Sequence, residues 1–231
     1  LTIVCYTIDL TIKSLLPMMT FDIKRQESYS RGELLLRTFF GFIYIMIPHA
    51  ILLLFVGLAA SVLNFLSFWI ILFTGRYPES WFEFQVKYMK WNIRVNASFF
   101  NLVDGYPKFG LNQEHKGVHF DAAYPENISR GSVLLRFFFG WLYVMIPHGL
   151  ILGILVYAVL IVNFIAWWAV LFTGNYPKSM FDFQVKYFRW SQRVSLYMAY
   201  MTDKYPPFTG SFDPEYDMPV TNDSIDENAE N

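Results

Sequence analysis

The chain has 231 residues, of which 55% are hydrophobic and 20% aromatic, while only 16% are charged, against about a quarter in an average soluble protein. That balance points to a membrane protein; the net charge of −1 hides an acidic segment after Phe208, and the basic excess of the remainder is read as topology information rather than nucleic-acid affinity. A single cysteine, Cys5, excludes an internal disulfide and a cysteine-based metal cluster.

Residues 1–20 are hydrophobic but have neither the charged start nor the small-residue cleavage site of a signal peptide. They have no counterpart in the rest of the chain and are read as a leader, with translation expected to start at Met18 or Met19; a short interfacial strand is the alternative. From Phe21 onward the sequence repeats itself. A shift of about 99 positions lays Arg31-Gly32 on Arg130-Gly131, Ile47-Pro48-His49 on Ile146-Pro147-His148 and Phe73-Thr74-Gly75 on Phe172-Thr173-Gly174. The expected organisation is repeat 21–109, a polar linker 110–119, repeat 120–210, and an acidic disordered tail 211–231.

Each repeat opens on a serine, Ser30 or Ser129, suited to cap a helix, with Glu33 completing a capping box in the first copy only. The apolar run that follows, Leu34 to Gly75, would measure roughly 63 Å as one straight helix, about twice the hydrocarbon thickness of a bilayer. Two spans joined by a turn near Gly57–Ser61 and Val156–Leu160 are therefore predicted, and Arg37 and Arg136 are expected to snorkel to the headgroups. Matching basic residues in both copies argue that the copies run parallel rather than inverted. After Gly-x-Tyr-Pro, Glu79–Val103 and Lys178–Thr202 read as amphipathic helices in the cytoplasmic interface, with Trp91 and Trp190 at headgroup depth. The fold expected is all-α: two tandem parallel repeats, each a transmembrane helical hairpin followed by an amphipathic interfacial helix.

LFTGRYPESWFEFQVKYMKWNIRV, its echo LFTGNYPKSMFDFQVKYFRWSQRV, and the later Tyr-Pro-x-Phe motifs carry a resemblance. They are similar to the bacterial membrane family catalogued as domain of unknown function 4389, over both repeats. The resemblance implies a multi-pass inner-membrane protein with tandem copies and brings no assigned activity.

No phosphate loop, nucleophile elbow or paired-histidine zinc helix is present, so no enzyme is expected and no cofactor assigned. His49 and His148 are the candidates for a shared site near mid-membrane. Two facing imidazoles can hold a b-type haem, and the plainer reading is that each bonds carbonyls freed by the preceding proline. Asn64 and Asn163 are expected to bond between helices, or to join the histidines at a repeat-interface site. Asp104 and Asp203 are expected to cap helices or pair with Arg94 and Arg193. Lys87, Lys90, Arg94 and Lys186, Arg189, Arg193 fall on one face of each interfacial helix and are candidate contacts for anionic lipid headgroups. The function expected is a non-catalytic scaffold or accessory subunit of a membrane complex, with a protein partner or homo-oligomer and a cytoplasmic C-terminus. The alternative is a small transporter or lipid-handling protein with a site at the repeat interface.

Overall fold

The computed structural model describes residues 17–219. Each repeat contributes one strand and two helices: β1 (Met19–Ile23), α1 (Arg31–Thr74) and α2 (Glu79–Phe99), then β2 (Val118–Ala122), α3 (Arg130–Thr173) and α4 (Lys178–Met198). The long helices α1 and α3 are each 44 residues and are long and apolar enough to cross a membrane. Ser30 and Ser129 cap them as expected, accepting from the amides of Glu33 and Ser132. The capping box does not close, because Glu33 instead accepts from the Gly105 amide at 2.6 Å. Gly75 and Gly174 end the helices at φ +74°, a left-handed position that costs an L side chain dearly.

No turn divides either long helix. Ile47–Thr74 and Ile146–Thr173 are unbroken α-helix through Gly57–Ser61 and Val156–Leu160, so the predicted hairpins are not formed. Neither stretch holds a residue that would end a helix, and glycine within one costs only about 1 kcal/mol. The irregularity lies earlier, in a π-helical turn at Phe42–Met46 and again at Trp141–Met145, just before Pro48 and Pro147. A proline cannot donate to the carbonyl four residues back, and a π turn re-registers the ladder at that point.

The two repeats interlock around a pseudo-two-fold axis. In the antiparallel sheet Phe21 faces Phe120, its own equivalent 99 positions on, so the axis passes between them. The bonds between helix ends come in symmetric pairs. The Tyr29 amide donates to the Gly174 carbonyl and the Ile128 amide to the Gly75 carbonyl. The guanidinium of Arg31 donates to the Phe172 carbonyl, and that of Arg130 to the Phe73 carbonyl, both at 3.1 Å. The start of each long helix is thus pinned to the end of the other, and α1 and α3 run antiparallel to one another.

Helices α2 and α4 fill the space between the sheet and the long helices. Val86, Ile93 and Ala97 join β1 and β2 in the main core with Phe68, Ile71 and Tyr77, while Trp91 and Val95 pack on Ile45 of α1. Burial of a side chain such as Phe68 or Ile71 contributes about 1.5–3 kcal/mol. The expected interfacial helices are therefore central elements, mostly enclosed by protein. By contrast α1 buries only a stripe, His49, Ala60, Ser67, Phe68 and Ile71 in its longer part, and leaves Phe39, Phe55 and Phe73 exposed at 72%, 65% and 73%.

Two boundaries also differ from expectation. Val118 and His119, placed in the linker, belong to β2, and Met19 and Thr20, placed in the leader, belong to β1. The start of the acidic tail is ordered: Asp217 is buried and the Tyr216 carbonyl accepts from the amides of Met18 and Met19. Residues 1–16 of the leader and 220–231 of the tail lie outside the described residues.

Candidate functional site

The Ile-Pro-His and Tyr-Pro-x-Phe motifs of each copy build one enclosed box. His49 is fully buried, stacked on Phe109 at 4.1 Å and tilted against Tyr106. Its Nδ1 accepts from the indole of Trp91 at 2.9 Å. The second copy repeats this with His148 stacked on Phe208 and bonded to Trp190 at 3.0 Å. An indole N–H only donates, so each Nδ1 accepts and the ring hydrogen sits on Nε2. In the second box that Nε2 lies 3.1 Å from the Tyr205 hydroxyl, which donates onward to the Tyr143 carbonyl at 3.0 Å. In the first, the Tyr106 hydroxyl donates to the Tyr44 carbonyl, and His49 interacts instead with the backbone carbonyl of Pro107.

Tyr44 and Tyr143 stand four residues before Pro48 and Pro147, so their carbonyls are the ones the prolines release. Tyrosines from the Tyr-Pro motifs occupy them, where histidine was expected to. The two imidazoles are each enclosed by their own repeat and are not brought face to face. With Nδ1 accepting and Nε2 protonated, neither offers a lone pair, so the residues present do not fit a bis-histidine haem. Trp91 and Trp190, expected at headgroup depth, are buried donors.

The arginines are anchors. Arg37 and Arg136 do not snorkel: both are buried and paired with Asp104 at 2.8 Å and Asp203 at 2.7 Å. Arg136 also donates to the carbonyls of Tyr197 and Thr202. The same aspartates accept from the Ser30 and Ser129 amides at 2.7 Å, tying the end of each shorter helix to the start of the long one. Arg94, expected to meet Asp104, instead donates to the carbonyls of Gly110 and Gln113. Burial holds its pKa down to about 10. Arg193 takes the Thr209 and Ser211 carbonyls and pairs with Asp217 at 2.5 Å, and Arg189 reaches Gly210 and Phe21.

An open basic stripe is therefore absent. Of its six members Arg94, Arg189 and Arg193 are buried and Lys90 pairs with Asp121 at 3.5 Å. Lys186 is exposed, and the half-exposed Lys87 lies 4.0 Å from Glu83. Helical spacing placed these cations on one face correctly, but it carries no information about loops folding over that face.

Between α2 and α4 the repeats leave a seam. Two adjoining cavities of about 420 and 470 Å³ share Tyr88, Ser191 and Ser195. Asn64 and Gln85 reach the first; Asn92, Asn96 and Gln192 line the second. The Asn64 and Asn163 Oδ1 atoms are buried and accept from nothing, so neither carbonyl oxygen makes the interhelical bond expected of it. Sequence reasoning missed Asn92, Ser191 and Gln192, because they sit among the aromatic and basic positions that dominate those helices.

A family model described as domain of unknown function 4389 matches residues 33–110 and again residues 130–210. No curated protein and no solved structure matches the chain.

Proposed function

The chain belongs to the family of the domain of unknown function 4389, in two tandem copies, and from that premise we propose a non-catalytic, lipid-handling protein embedded in one face of a membrane. The observation that carries this is the reciprocal pinning of helix ends. An apolar surface as broad as that of α1 and α3 requires cover, and a bilayer supplies it. The pseudo-two-fold axis then stands along the membrane normal or lies in its plane.

An in-plane axis would hold the sheet at mid-depth and leave exposed Lys24 and Asp121 in hydrocarbon, at roughly 2.5–3.5 kcal/mol for each charge. It would also need a bilayer to match exposed apolar residues from Leu35 to Phe73, roughly 58 Å at 1.5 Å per residue against about 30 Å available. An axis along the normal has neither cost. Equivalent residues then share a depth, and the Arg31–Phe172 and Arg130–Phe73 bonds put all four helix ends at one level. Each long helix would then enter and return on one side, with the π turn and proline as the place where it can bend. Basic residues 99 positions apart fall on the same side, which is what the positive-inside argument requires without a hairpin. Lys87 and Lys186 remain available to anionic headgroups.

Lipid handling is favoured by the uncharged cavities at the repeat interface. The scaffold or accessory-subunit reading is favoured by a different feature, a mixed-charge hollow beside the sheet lined by Lys90, Glu114, His119 and Asp121. A stoichiometric protein partner that co-purifies in mild detergent would give preference to that second reading. The embedding is tested in sealed vesicles with single cysteines at Glu27 and Arg76, the two ends of α1, in a Cys5→Ser background. An impermeant maleimide should label both from the same side; labelling from opposite sides would restore a crossing helix.

A further inference from the structure

We infer that the seam between α2 and α4 is a binding site for a neutral glycerolipid, one whose head carries hydroxyl and ester-carbonyl groups and no charge. The inference rests on the one-sided embedding proposed above. On α2, Val86, Ile93 and Ala97 join the core shared with the sheet, and Tyr88, Asn92 and Asn96, centred about a third of a turn round the helix, line the seam that the one-sided embedding turns toward the bilayer. Repeat symmetry brings Ser191 and Ser195 of α4 opposite them across the axis, with Gln192 beside. No charged side chain lines either cavity.

The polar groups there are incompletely used. Asn96 donates to the Asn92 carbonyl and Ser195 to the Ser191 carbonyl, both within their own helices. The side chains of Asn92, Ser191 and Gln192 have no hydrogen-bond partner among the described residues, and the Asn64 Oδ1 at the rim is buried without a donor. Polar groups left unpaired at membrane depth are costly, and a ligand that both donates and accepts removes the cost. Amides and hydroxyls match a glycerol hydroxyl and ester carbonyls. They give a phosphate nothing to neutralise its charge, and the arginines that would are committed elsewhere. Together the cavities lie within the size range of ligand pockets, room for a head and the first part of its chains.

The test uses the full chain in phosphatidylcholine nanodiscs, with diacylglycerol and phosphatidylglycerol probes that carry a photoreactive diazirine near the glycerol. The diacylglycerol probe should crosslink to peptides containing Asn92 and Ser191, and excess unlabelled diacylglycerol should compete where phosphatidylglycerol does not. Replacing two hydrogen-bonding groups in Asn92→Leu with Gln192→Leu should cut labelling roughly tenfold, and Asn92→Gln should retain most of it. Equal labelling of the seam by phosphatidylglycerol, or no labelling of it by either probe, overturns the assignment. A probe with its diazirine at the chain end separates the two layers of inference. It should mark the outer face around Phe39 and Phe55 in every variant. If that face is marked and the seam is not, the neutral-lipid site alone is wrong; if the face is unmarked, the embedding falls with it.

Discussion

Arg136 shows how much a single side chain can be asked to hold. Its guanidinium is buried, paired with Asp203, bonded to two carbonyls and lies 4.5 Å from the Tyr197 ring centre. Removing a partner from a buried ion pair strands the other charge, so Arg136→Met should lower stability by about 3–5 kcal/mol in detergent thermal unfolding. Lys178→Met, which breaks the exposed pair with Asp182, should change it by less than about 1 kcal/mol. His115 sets a pH dependence. Its Nδ1 accepts from the Gly117 amide, its Nε2 donates to the Asp104 carbonyl, and burial lowers its pKa. The unfolded chain, with an ordinary value of about 6.5, then takes up a proton more readily than the folded one. Stability is full above that value and should fall as pH drops through and below it. His115→Gln should flatten the unfolding midpoint between pH 7 and 5; an unchanged slope would show that another group governs it.

At the scale of elements, the punctuation around the long helices does more than end them. Gly75 is held at φ +74°, where an alanine is strained whatever room surrounds it. Gly75→Ala should cost about 1–2 kcal/mol, and Gly149→Ala, inside α3 with open space around it, should be neutral or stabilising by up to about 1 kcal/mol. Tyr106→Phe leaves the Tyr44 carbonyl beside Pro48 without its donor, an expected loss of about 1–3 kcal/mol. If melting curves rank these three substitutions differently, the caps and the proline box do not hold the helices as described.

For the whole molecule, the interlocked symmetry predicts what half of it does. The sheet, the helix-end bonds and the packing of α1 on α3 all lie between repeats, so one copy alone leaves each of them unmade. A fragment of residues 17–117 should associate as a homodimer that rebuilds the axis, with Tyr29 of one chain donating to Gly75 of the other. Sedimentation in detergent should give twice the fragment mass; a stable, folded monomer would contradict the interlocking.

The duplication at 99 residues, the caps, the two long apolar runs and the basic face of each shorter helix are legible in the order of residues alone, because these depend on local composition and spacing. The course of the long helices and the partners of the buried charges were not legible there. Helical periodicity cannot distinguish two spans from one continuous helix when no residue in the run forces a break. Nor can it show that Arg37 finds Asp104 rather than a headgroup, or that loops close over Arg94 and Arg193, since these partners lie 67, 16 and 18 residues away and meet only when the chain returns on itself. The antiparallel pairing of β1 with β2 sets Phe21 against Phe120 across the axis, a contact whose energy is shared by two strands and encoded in neither alone.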